Sequence, residues 1–181
     1  MTSTTLTSAP VGTWTLDPVH STVGFEVKYL VGTFRGQFRD ADGRLVVDER
    51  GRAALEGSAR VASVDVKDEQ LAGHLQTPDF FDAERFPELR FRAEGIDVSG
   101  GAIEAEGEIT IKGVTKPVQI SGTLTPPAAD PYGRERTGAV LTATVNRHDF
   151  GVSWNAPVPG GDMALADDVT INAELFFTKA E

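Results

Sequence analysis

The chain has no cysteine. That excludes disulfide bonds, thiolate nucleophiles and any metal site built on sulfur. Long apolar runs are missing as well, and no stretch nears the length a helix needs to cross a bilayer. Met1 to Pro10 carry neither a basic start nor an apolar segment, so they do not read as a secretory leader, and the expected compartment is the cytoplasm. Residues 1–12 are expected to form a flexible tail, with 13–181 as one domain. Basic residues are scarce, at 17 Lys and Arg against 27 Asp and Glu, a formal net charge of −10. Such a field repels a phosphate backbone, so nucleic acid is a poor partner, and neither anionic membrane surfaces nor stable membrane insertion is expected.

Catalytic signatures are also lacking. Gly-x-Ser-x-Gly, His-Glu-x-x-His and Gly-x-Gly-x-x-Gly do not occur. The three histidines, His20, His74 and His148, lie far apart, and none has a second ligand at the spacing of paired metal ligands. His20 adjoins Ser21, but neighbours on a strand point to opposite faces. Asp79 and Asp82 flank Phe80-Phe81, where capping of a helical turn accounts for them more simply than paired acid–base chemistry. Neither an enzyme, a metal site nor a required cofactor is expected.

What the chain does have is period-2 alternation, broken by many of its 19 glycines. From Ser21 to Val31 one face carries Val23, Phe25, Val27, Tyr29 and Val31. Thr33–Arg39 follows, then a turn at Asp42-Gly43, Arg44–Asp48 and Ala53–Val61. Lys67–Leu75 reads as a short helix with Leu71 and Leu75 on one face. Thr77-Pro78 then opens one more helical turn over Asp79–Asp82. Glu88–Ala93, Ala102–Lys112, Val118–Leu124, Ala139–Asn146 and Val169–Phe177 complete the strands, with loops at Pro126–Arg136 and Pro157–Asp168. Eight or nine strands joined mainly as hairpins imply an all-β antiparallel barrel, whose closure removes exposed edges.

The inward faces mix bulky residues with very small ones such as Gly57, Ala59, Gly107, Gly122 and Ala143. In a barrel of about eight strands that mixture favours an open lumen over a filled one. Its lining would be apolar, and the candidate contacts are Phe25, Val27, Phe34, Phe38, Phe91, Ile109, Leu141, Val145 and Trp154. Arg147 sits in the densest polar cluster near a strand end, Asn146 to Gly151. Two readings stay open for it: a contact to a ligand's polar head at the pocket mouth, or an Arg–Asp pair that pins the rim.

Four segments in order carry a family resemblance: Trp14–Phe25 (WTLDPVHSTVGF), Leu75–Pro87 (LQTPDFFDAERFP), Gly107–Val118 (GEITIKGVTKPV) and Asn146–Gly151 (NRHDFG). Together they resemble the YceI-like family of polyisoprenoid-binding, lipocalin-like proteins, from about residue 13 to residue 178. The resemblance implies a lipocalin-like eight-stranded antiparallel barrel with a short helical insertion. It implies a polyisoprenoid or isoprenoid quinone bound in the lumen, for storage or transport, and a homodimer as in many relatives. Its motif positions here are His20, Asp79, Phe80, Phe81, Pro87, Lys116, Pro117, Arg147 and Gly151, most of them structural. Phe80 and Phe81 would anchor the helix. Two other functions remain: a lipid-modifying enzyme with His20 or His148 as proton carrier, and a ligand-free stress or scaffold barrel.

Overall fold

Alternation along the chain becomes eleven strands in the computed structural model, which describes residues 10–180. They are β1 (Gly12–Leu16), β2 (Thr22–Tyr29), β3 (Gly32–Phe38), β4 (Ala41–Val47), β5 (Arg52–Arg60), β6 (Val64–Asp65), β7 (Glu88–Asp97), β8 (Ala102–Ile111), β9 (Val114–Ala129), β10 (Glu135–Asn146) and β11 (Leu165–Lys179). One helix, α1 (Glu69–Leu75), lies between β6 and β7. Residues 1–9, most of the expected tail, fall outside the described residues. Pro10 is already buried and accepts a 2.6 Å hydrogen bond from the Trp14 indole, and Gly12 opens β1.

The sheet runs β1-β4-β5-β7-β8-β9-β10-β11-β2-β3-β6, and β11 also pairs with β1, which closes a ring. β11 is long enough to hold β2 along its first two thirds and β1 along its last residues. β1 and β2 thus act as one long strand broken at residues 17–21, β3 and β4 as another broken at residues 39–40, and β5 and β6, which pair with β4 and β3, as a third broken at residues 61–63. Counted that way the barrel has eight walls, all antiparallel: the lipocalin-like architecture expected from the sequence. β8 shows the cause most plainly. Ile103, Gly107, Ile109 and Ile111 are buried, while Glu104, Glu106 and Glu108 are exposed.

Several boundaries differ from the sequence expectations, each for a physical reason. Asp42-Gly43 is no turn, because β4 runs through it in register with Ser58 and Gly57. Pro126 and Pro127 do not end β9. They occupy a bulge, two residues against Thr137 alone, where the missing N–H groups cost no ladder bond, and the Thr137 hydroxyl donates to the Thr125 carbonyl at 2.5 Å. The helix starts at Glu69 because Asp68 caps it, accepting from the Gln70 and Leu71 amides at 2.8 and 3.1 Å. Thr77 does not cap a second helical turn: its hydroxyl donates back to the His74 carbonyl at 2.6 Å, and residues 77–82 form non-helical turns. Lys112-Gly113, both at positive φ (52° and 76°), make the two-residue turn between β8 and β9.

The break between β1 and β2 is held by Asp17. Its carboxylate accepts from the Val19 amide at 2.9 Å, from His20 Nδ1 at 2.7 Å and from Arg136 Nη1 at 2.8 Å. Arg136 also bonds Asp130 at 2.9 Å. Desolvation raises the Asp17 carboxyl, but its hydrogen bonds from His20, Arg136 and Val19 outweigh that and hold it at about 2. A depressed carboxyl stabilises the fold fully above its unfolded value, and the gain is lost as pH falls through the folded one. Urea midpoints measured from pH 5 down to pH 2 should therefore fall less steeply in Asp17→Asn than in the parent chain. Parallel slopes would show that Asp17 does not anchor this break.

Candidate functional site

One end of the barrel is solid. Leu45, Ile96, Val98, Ile103, Leu124 and Phe177 meet there around a void of only about 10 Å³. Trp14 and Phe177 are among the most deeply buried side chains. Towards the other end the walls separate around a cavity of about 370 Å³, within the range of small-molecule pockets. α1 and the turns after it lie across that end, and Leu71, Leu75, Phe80 and Phe81 all border the space.

All ten residues singled out in the sequence border this cavity. Phe25 lies 5.6 Å from Phe38 and 6.0 Å from Phe34, ring centre to ring centre, and Phe81 meets Phe25 and Phe38 at 6.1 and 5.6 Å. Through Phe81 these contacts tie β2 and β3 to the helical insertion, while Phe80 anchors it against Trp154, 5.4 Å away. Sequence reasoning missed Leu16, Val118, Leu165, Val169 and Ile171, which also border the cavity. Their alternation was visible, but which wall faced the open part of the lumen was not.

Small residues open the lumen only in part. Gly57, Ala59, Ala143 and Ala173 border the cavity. Gly107 does not, contrary to expectation. A Cβ there would come within 2.8 Å of the Phe91 ring, so this glycine makes room for an aromatic side chain instead of a ligand. At Gly122 a Cβ would overlap the Val140 carbonyl, so its smallness serves the close approach of β9 to β10.

Arg147 is buried beside the cavity, and it is paired with backbone. It donates to the carbonyls of Ala166 (2.7 Å), Val152 (2.8 Å), Trp154 (2.8 Å) and Leu165 (3.4 Å). Of the two readings left open for Arg147, the Arg–Asp pair gives way to this clamp on the segment 152–166. Desolvation lowers the guanidinium pKa, and the charge of Asp167 only partly offsets it. The segment is held further by Asn155, which receives the Leu165 amide and donates to its carbonyl, at 2.9 and 2.8 Å. Lys112 links the β8–β9 turn to the same end, donating to the carbonyls of Pro78 (2.5 Å) and Gly151 (3.2 Å).

The three histidines each meet a different aspartate. His20 lies at the β1–β2 break, outside the cavity lining. His148 contacts Ser153 Oγ at 3.0 Å and Asp167 at 2.7 Å, the residue types of a nucleophilic triad. Yet Asp167 is 65% exposed and Ser153 lies on the outer surface, between cavity-lining Val152 and Trp154, so the cluster does not face the lumen. The imidazole that does border the cavity is His74. It contacts Asp79 at 2.9 Å and stands edge-on to Phe80 and Trp154 at 5.0 and 5.1 Å.

Comparison with known proteins agrees with this geometry. A UPF0312 protein of Staphylococcus aureus strain MSSA476 is 28% identical over 172 residues, 93% of this chain and 98% of that protein. The crystal structure of Burkholderia cenocepacia BcnA superimposes with a TM-score of 0.74 at 22% identity, covering 89% of this chain and 98% of BcnA. A polyisoprenoid binding domain from Saccharophagus degradans, implicated in plant cell wall breakdown, superimposes with a TM-score of 0.67 at 12% identity, over 92% of this chain and 98% of that domain. At such identities the structural likeness is one of fold. The model of the YceI-like domain matches residues 14–177, nearly the whole of the barrel, and the chain belongs to the YceI-like family.

Proposed function

We propose that this barrel binds a long apolar molecule of isoprenoid type, a polyisoprenoid or an isoprenoid quinone, and stores or carries it without chemical change. The observation that supports this most directly is the cavity of about 370 Å³ bordered by Phe25, Phe34, Phe38, Phe91, Ile109 and Leu141. Such a lining offers few fixed hydrogen bonds, so affinity would come from burying methylene and methyl groups, about 0.8 kcal/mol for each before ordering costs. The polyisoprenoid-binding domain of similar fold points the same way. Arg147 would then stiffen the pocket mouth rather than read a head group, since four carbonyls already engage it.

Organic extraction of protein purified from its native host, followed by mass spectrometry, tests the reading. A stoichiometric isoprenoid or quinone is the expected result. An empty extract, together with no uptake of an apolar dye, would replace it with the ligand-free scaffold reading.

A further inference from the structure

We propose that the tip of the β2–β3 hairpin is a docking surface for a zwitterionic phospholipid bilayer, where the barrel takes up and releases its cargo. This rests on the apolar-cargo reading above. Ten large hydrophobic residues are exposed among the described residues, and four of them, Tyr29, Leu30, Val31 and Met163, gather at this tip. Val31 is fully exposed and Leu30 more than half so. Met163 joins the group because the Leu30 amide donates to the Ala164 carbonyl at 2.9 Å, while Tyr29 pairs with Leu165.

The turn itself is unusual. Leu30 has a φ of 50°, a left-handed conformation that glycine or asparagine adopts with less strain than a branched aliphatic side chain. A turn chosen only for hairpin geometry would not place leucine there and leave it in water.

Charge supports a lipid partner. Lys28 is the single charged residue from Val27 to Phe34 in a chain of net charge −10. Its long stem can lie along an apolar tip with the ammonium at phosphate level, the usual arrangement of basic residues at a membrane interface. The overall negative charge, with Asp162 beside the tip, opposes a strongly anionic surface, and so the surface is zwitterionic. Tyr29 completes the connection, since it borders the cavity and is also exposed at the rim. Cargo apolar enough to fill the lumen is poorly soluble in water, and a tip seated in lipid spares it the aqueous crossing.

Flotation with phosphatidylcholine vesicles tests this, comparing the parent chain with Leu30→Asp/Val31→Asp. Both positions are exposed, and aspartate tolerates positive φ, so the variant should fold. The parent should float with the vesicles and the variant partition roughly tenfold less or worse. Both should take up N-phenyl-1-naphthylamine from solution equally. A parent that does not float, or a variant that floats as well, overturns the proposal. So does a parent that stays with the bottom fraction as a dimer which the variant converts to monomer, because the tip then belongs to a second copy. Absence of dye uptake by both proteins sinks the cargo reading itself, which keeps the two failures apart.

Discussion

Arg147→Met is expected to lower the melting temperature by roughly 10–15 °C, through a loss of about 4 kcal/mol. Methionine approximates the length and apolar stem of arginine, so packing is largely kept while every donor disappears. Three carbonyls, those of Ala166, Val152 and Trp154, then lose their partner at once, and that of Leu165 keeps only Asn155. Each buried acceptor left unsatisfied costs about 1–3 kcal/mol, and removal of the costly buried charge returns part of that. Arg147→Lys should fall between, because one ammonium cannot span four carbonyls on a segment that arginine's planar fork reaches together. Thermal unfolding followed by circular dichroism separates the three proteins. A shift under about 3 °C for Arg147→Met would mean that water replaces the guanidinium and that the clamp does not organise the mouth.

Much of this was legible in the sequence, and the pattern of hits and misses has a physical order. Ile103 to Ile111 alternates so regularly that β8 and its buried face can be read directly, and eight of the ten cavity residues, all but Arg147 and Trp154, follow the same period. Breaks were harder. Nothing local marks residues 39–40 as the break between β3 and β4, because the reason lies in pairing: β3 lies between β2 and β6, and β4 between β1 and β5. Asp42-Gly43 carried the turn signal instead, and tertiary pairing overrode it. Pro126-Pro127 likewise reads as loop until the opposite strand supplies a bulge to receive it. Glycine was the most ambiguous letter. Gly57 opens the lumen, Gly107 houses a phenyl ring and Gly122 lets two backbones approach, and no local feature distinguishes the three. Arg147 borders the cavity, but its partners are carbonyls of a segment some 5–19 residues further on, a relation with no sequence signature.

Gly57→Phe should abolish most ligand affinity while leaving the fold intact. Gly57 and Gly43 stand opposite each other on β5 and β4, and both border the cavity. A Cβ at Gly57 meets only the Asp42 carbonyl, at 3.3 Å, so a side chain there can enter the lumen with little adjustment of the wall. Phe91 is its partner on β7 and offers an aromatic surface for the new ring. Strand propensity also favours phenylalanine over glycine, so the melting temperature should hold or rise. A ring in that space displaces about four methylene groups of a bound chain, worth about 3 kcal/mol, or roughly a hundredfold in Kd. Titration with geranylgeraniol, read through the fluorescence of Trp154 beside the cavity, measures it. Trp14 is buried in the solid end and supplies a constant background. Affinity reduced a hundredfold at unchanged stability would place the cargo against β4 and β5, deep in the barrel. Equal affinity in a folded variant would mean that the bound chain stays near α1 and never reaches this wall, and the cavity's depth would then serve something other than the cargo.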